Sequence, residues 1–474
     1  MSRSRFGGVP PAAASGHGAS ILVAALSAAF GVVLLMATDV LATYISATSL
    51  GEHGSVRLAL LIVAAVFVVI AVYVGAIVTA NTFATIVAGR TRTLALMRLI
   101  GASSRSLRGS VASEGLLVGC MGSVFGAAGG YSIAAIGTRA VVGWGMIPAL
   151  DYPMFDPLIF LPPIVVIATT WSASWVGSRR VLAVTPLQAL VTAVDRSREE
   201  TGRRRGRNLT AVLLFSAGAG LLVAGIILGL VTPLAVMIAL LGGVLSFSGL
   251  VLGAHLVMPP VLRLVGNLAG GSASARLAAA NTIRYPDRSA RTAIGLVIGV
   301  TLVTMFSVAA QCYRDVLTAA QELRPDVYAG AGIEPVLAAT IAVFSVLVGF
   351  SGVIAAVGMV NSLSLSVLQR RRELGLLRAL GFSSNQVRAL VFIESAQLSV
   401  AAVLTGVVLG IIYGWAGAQS LLGSLPGGGL IAPSVPWPVL ALAASACALL
   451  AVVASIAPTR SAVRTSPMAA LAVE

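Results

Sequence analysis

Apolar residues arrive in ten blocks of about twenty or more, near 19–45, 57–82, 109–137, 157–177, 209–231, 233–258, 291–311, 336–362, 389–415 and 436–457. A helix of that length crosses the ~30 Å hydrocarbon core of a bilayer with every interior backbone group paired. Charged residues make up only 10% of the chain, too few to cover the surface of a soluble protein of 474 residues. The fold class expected is therefore all-α and membrane-integral, with ten spans. A signal peptide is an alternative for the N-terminus, because Arg3 and Arg5 precede the first block. That block is much longer than a cleavable apolar region of about 7–15 residues, so it reads as the first span.

The net charge of +15 raises nucleic-acid binding as a possibility, and its distribution removes it. All 31 basic residues are arginine, and 27 of them fall in both termini and in the segments 86–108, 178–208, 259–291 and 363–388. These arginines sit between apolar blocks and form no basic face interleaved with aromatics, so no nucleic-acid partner is expected. With ten spans and both termini cytoplasmic, every arginine-rich segment lies inside, as the positive-inside rule requires. The missing lysine fits a GC-rich bacterial coding bias, and the expected location is a bacterial inner membrane. It also removes a Walker A loop, which needs lysine at the phosphates. Cys120, Cys312 and Cys447, and the three histidines, are scattered. No catalytic residue and no metal site is expected.

An internal duplication fixes the topology. NTFATIVAGRTRTLALMRLIGASSRSLRGSVASEG, at 81–115, aligns without a gap to NSLSLSVLQRRRELGLLRALGFSSNQVRALVFIES, at 361–395. Six spans separate the copies, an even number, so the repeats are parallel and share one orientation. The expected organisation is a cytoplasmic tail at 1–18, a four-helix unit at 19–200, a linker and two-helix insert at 201–260, and a second four-helix unit at 261–474. The turn at Thr232-Pro233 splits the insert into a hairpin. Glycine tracks follow each copy, Gly122, Gly126 and Gly130 against Gly406, Gly410 and Gly414, and read as helix-packing surfaces.

Each copy carries a short amphipathic segment between its second and third spans. In RRRELGLLRALGFSS, Leu374, Leu377 and Leu380 recur near helical spacing, while Arg371, Glu373 and Arg378 face elsewhere, and Gly381 ends the segment. Such a segment can lie on anionic lipid or dock in a partner. Two nearly identical copies favour docking to a twofold-symmetric partner. Glu114 and Glu394, early in the following spans, are the intramembrane acids. A carboxylate at mid-bilayer costs about 2.5–3.5 kcal/mol, which makes such groups functional candidates. Pairing with Arg108, Arg388 or a segment arginine is favoured over proton coupling, since both acids lie near the cytoplasmic edge.

Residues 90–101 and 371–381, together with Glu114, Glu394 and the run LAAANTIRYPDRSART, resemble the FtsX-like permease family. That family includes macrolide-exporter, lipoprotein-releasing and antimicrobial-peptide-resistance permeases. The resemblance covers both four-helix units, and the hairpin suits its ten-span subgroup. It implies a permease subunit, not itself an enzyme, coupled to a separate ABC-type ATPase, with two copies per chain. ATP and Mg2+ would belong to that partner. The coupling residues it implies are Arg90, Arg92, Arg98 and Gly101 in the first copy, and Arg370, Arg371, Arg372, Glu373, Arg378 and Gly381 in the second. The expected activity is export or extraction of an amphipathic or membrane-embedded compound. The alternative is a mechanical regulator of envelope enzymes or a sensor, which the short outer loops disfavour. Those loops, of roughly 11 and 25 residues, are too short for the extracytoplasmic domain of better-known members. Thr93 stands where the second copy has Glu373, so the two docking sites are unequal.

Overall fold

The computed structural model describes residues 18–47, 54–89, 96–145, 147–182, 205–268, 273–284, 286–323, 333–369, 371–425, 427–446 and 449. Among them there is no strand. The first unit comprises α1 (Gly18–Ser46), α2 (Gly54–Gly89), α3 (Ser104–Gly143) and α4 (Leu161–Leu182). The insert is α5 (Arg205–Leu228) and α6 (Ala235–Leu252). Then come α7 (Ala254–Leu268), α8 (Ala273–Arg284), α9 (Pro286–Leu323), α10 (Ile333–Gln369), α11 (Arg371–Ala379), α12 (Ser384–Leu422) and α13 (Trp437–Ala446).

Among the described residues, eight helices are long and apolar enough to cross a membrane. The remaining two apolar blocks correspond to α10, whose described apolar stretch is Thr340–Ile354, and to α13. Five helices are 36 to 40 residues long. At 1.5 Å per residue that is roughly 54–60 Å, so they run well beyond the hydrocarbon core.

Two sequence expectations need correction. The apolar block 233–258 is not one helix: α6 stops at Leu252, and α7 starts after Gly253. Nor is 259–291 a loop, because α7, α8 and the first turns of α9 fill most of it. In α7, Met258, Leu262 and Val265 are buried at helical spacing while Leu256 and Leu264 are exposed. An amphipathic face of this kind is stabilised by packing, and the helix persists despite Pro259 and Pro260.

The glycine tracks lie where helices approach closely. On α3, a Cβ added to Gly130 would stand 2.8 Å from the Ala29 carbonyl oxygen of α1; on α12, one added to Gly414 would stand 2.6 Å from the Met305 oxygen of α9. Gly122 faces Ala24 and Gly126 faces Ala28, whereas Gly406 faces Val300 and Gly410 faces Thr304. Hence Ala24 matches Val300 and Ala28 matches Thr304, a displacement of 276 residues. The same displacement relates Phe30 to Phe306. Phe30 packs on Phe350 of α10 at 5.9 Å, and Phe306 on Phe67 of α2 at 6.5 Å. The first helix of each unit thus meets the second helix of the other, as a pseudo-twofold axis requires. The insert breaks this symmetry: α5 and α6 pack on α12, and α6 also touches α2.

Candidate functional site

The duplicated segments fold into two matching elbows. In the second, the α11 helix ends where Phe382 N–H donates to Leu377 O (3.0 Å) and Gly381 N–H to Arg378 O (3.1 Å). In the first, Ala102 N–H donates to Met97 O (2.9 Å) and Gly101 N–H to Arg98 O (3.1 Å). This is a Schellman closure, which needs a left-handed residue at the position after the cap. Gly101 and Gly381 supply it with φ of 102° and 101°. Two residues later the next helix is capped in turn. Ser103 accepts from Ser106 N–H at 3.1 Å and Ser383 accepts from Gln386 N–H at 3.2 Å. The second site adds the reciprocal bond, Ser383 N–H to Gln386 Oε1 at 2.9 Å, completing a capping box. The Gly-x-Ser run therefore joins each short helical segment to α3 or α12 through two closed caps, leaving little slack between them.

The inward face of α11 is secured by packing. Leu374 is 2% exposed and joins Val387, Leu390 and Val391 of α12 and Ala278 of α8, with Leu377 and Phe382 at the margin. Leu380 does not continue that face. It falls beyond the helix end at Ala379 and is 72% exposed. Its counterpart Ile100 is 85% exposed. Each elbow thus presents a large apolar side chain at its tip, immediately before the left-handed glycine. The spacing that counted leucines as one stripe missed this, although Ile100 and Leu380 align at the displacement of 280 shared by the whole duplication.

The charged candidates are distributed around these tips. Arg98 and Arg378 are partly exposed and Glu373 is exposed. Arg371 and Arg372 fall in the first turn of α11. Arg90, Arg92 and Arg370 lie outside the described residues. Glu394 is 6% exposed in α12, whereas Glu114 of α3 is half-buried. Arg108 stacks over the Trp175 ring of α4 at 4.8 Å, and Arg388 is exposed. No group of residues able to hold a metal occurs among the described residues.

The end of the bundle away from the elbows carries a second duplicated feature that the sequence alone did not single out. Asp39 of α1 and Asp315 of α9 are 276 residues apart, the displacement of the helix pairs. Asp315 accepts from Ser434 and from Gln311 Nε2 (3.2 Å), while Asp39 lies near Asp156. Near Asp315 the loop after α12 is tied down, with Trp415 Nε1 donating to Ile431 O and Gln419 Nε2 to Gly429 O, both at 2.7 Å.

A family model described as FtsX-like permease C-terminal matches residues 65–186 and 335–467, so both elbows fall inside it and the α5–α6 hairpin falls outside. An uncharacterized ABC transporter permease of Methanocaldococcus jannaschii is 35% identical over 97 residues, 20% of this chain and 23% of that protein. The uncharacterized ABC transporter permease YknZ of Bacillus subtilis is 28% identical over 144 residues, 30% of this chain and 34% of its own. The ABC transporter permease YtrF of Bacillus subtilis is 25% identical over 127 residues, 25% and 29%. Each alignment spans about a third or less of the relative's length. The family match covers more than half of the sequence and falls once on each repeat; the chain belongs to the FtsX-like permease family.

Proposed function

We propose that this multi-pass membrane protein is the permease subunit of an ABC transporter, and that the elbows at 96–101 and 371–381 are where a separate ATPase, two copies per chain, takes hold. ATP and Mg2+ are bound by that partner, and its closure is passed through the elbows into α3 and α12. The work is export or extraction of an amphipathic or membrane-embedded compound from a bacterial inner membrane, with both termini inside. The observation that carries this reading is the pair of capped elbows, each rigidly joined to a span and each ending in an exposed apolar side chain, Ile100 or Leu380. An apolar tip flanked by Arg98 or Arg378 suits a groove with an apolar floor and an acidic rim, where arginine is an enriched interface anchor. The relatives' names support the ABC assignment.

The test is co-purification with a candidate ABC-type ATPase, followed by ATP turnover in nanodiscs. Wild type is expected to retain the ATPase. Ile100→Glu combined with Leu380→Glu, and separately Arg98→Glu combined with Arg378→Glu, are expected to release it while the chain stays folded. Retention by both double variants sinks the docking assignment.

A further inference from the structure

Between the two units and the insert lies an apolar cavity of about 260 Å3. Its walls include Val63 and Phe67 of α2, Leu240 of α6, Phe306 of α9, Phe344 of α10 and Leu421 of α12. The aromatic wall is internally packed, with Phe67 edge-on to Phe344 at 6.1 Å. Along α2 the lining runs from Val63 to Ile77, and along α9 from Ile298 to Tyr313. At 1.5 Å per residue each is about 20 Å, so the cavity is long and narrow. Leu41 and Ile45 of α1 and Leu422 of α12 place its far end toward the ends of the spans opposite the elbows.

The insert walls one side of this cavity with Phe247, which its two neighbours hold in place. Ser246 of α6 bonds the Tyr413 hydroxyl of α12 at 3.0 Å, and Ser248 bonds the Tyr73 hydroxyl of α2 at 2.9 Å. Phe247 between them packs edge-on against both rings, at 6.4 Å to Tyr73 and 6.1 Å to Tyr413. Both tyrosine hydroxyls are thereby satisfied within the protein and ask nothing of a ligand. No charged residue is among those lining the cavity. Of the other polar lining groups, Tyr313 and Thr340 bond each other, and the Thr301 hydroxyl is buried with no partner among the described residues.

A cavity of about 150 Å3 lined by aliphatic and aromatic groups already takes a benzene-sized guest and excludes water. This one is larger, elongated and immersed in a solvent made of alkyl chains. We infer that it is a binding site for one acyl chain, walled in by the Ser246-Phe247-Ser248 clasp of the insert. The chain belongs either to the amphiphile being moved or to a resident membrane lipid, and the first source rests on the transport reading above.

Two glycines make the site testable without disturbing the helices. Gly243 of α6 and Gly417 of α12 line the cavity, and a Cβ added at either meets nothing within 4 Å. Phenylalanine at either position enters the cavity and is a better helix former than glycine. The chain is placed in nanodiscs, with and without its ATPase, with a phospholipid carrying a diazirine midway along one acyl chain, then irradiated and mapped by mass spectrometry. Label is expected on Phe67, Phe306 or Phe344. Gly243→Phe and Gly417→Phe are each expected to cut it about tenfold, the effect of a ~1.4 kcal/mol loss in binding. Label at the exposed Leu117 and Val124 of α3 is expected to stay unchanged. The inference is overturned if label appears only on such outward positions, or if both variants leave cavity labelling intact. It is also overturned if an aromatic compound without an alkyl chain displaces the label better than a free fatty acid. A fall in cavity labelling during ATP turnover identifies the chain as cargo. Labelling indifferent to ATP while the ATPase stays bound identifies a resident lipid and leaves the permease reading intact. Cavity labelling in a chain that binds no ATPase keeps the site and removes the transport reading.

Discussion

Gly101 and Gly381 carry a conformation that other residues reach only at a cost of roughly 1–2 kcal/mol, and neither is crowded, since a Cβ at either would meet nothing within 4 Å. Their requirement is therefore conformational, not steric. Gly101→Ala combined with Gly381→Ala is expected to leave the chain in the membrane and the ATPase bound, but to lower ATPase stimulation several-fold as both elbows loosen. Gly129→Ala combined with Gly137→Ala, at uncrowded helical positions, is the control expected to change nothing. Full stimulation in the first variant means that the elbows transmit no force. These glycines were legible in the sequence because a C′ glycine after a periodic run has a specific physical use. Leu380 was less legible: leucine spacing describes a helix only while the helix lasts, and this one ends at Ala379.

At the scale of elements, hydropathy located the spans and misjudged where helices end. Backbone hydrogen bonding does not stop at the edge of the hydrocarbon, so α9 continues to Leu323, past the apolar block ending near residue 311. Conversely, α6 stops at Leu252 inside the apolar block 233–258, with its cap at Gly253 (φ −92°), a break that hydropathy does not register. The arginine-rich stretch 259–291 reads as a loop by charge, but Met258, Leu262 and Val265 supply an apolar face only a few residues wide. The close contacts of the two glycine tracks are legible and carry a prediction. Gly130→Val and Gly414→Val bring a side chain against the Ala29 and Met305 backbones, at 2.8 and 2.6 Å for the Cβ alone. Neither backbone can yield as a flexible side-chain tip would. Overpacking of this kind costs about 1–3 kcal/mol, and each variant is expected to melt earlier in detergent. Gly129→Val, one residue from Gly130 and facing open space, should melt like wild type; equal melting of all three removes the close-packing role.

At the scale of the whole molecule, two kinds of order coexist. The units are related by a pseudo-twofold arrangement, visible in the crossed pairs Phe30–Phe350 and Phe306–Phe67. The elbows follow that symmetry in backbone and in their apolar tips, yet differ in detail: the capping box is complete only at Ser383, and α8 supports α11 through Ala278. The insert departs from it altogether, clasped to α2 and α12 by residues 246–248. A twofold ATPase pair would then meet two similar but unequal docks on one chain. Ile100→Glu alone is expected to leave one ATPase copy attached, held at the better-braced second elbow, with the double variant holding none. Leu380→Glu alone should cost more, because it strikes the dock with the complete cap. Native mass spectrometry of the purified complex counts the copies directly. One copy lost per single variant establishes independent docks. Both lost together from either single variant establishes that the ATPase binds only as a closed pair, and two copies retained in both removes the tips from the interface.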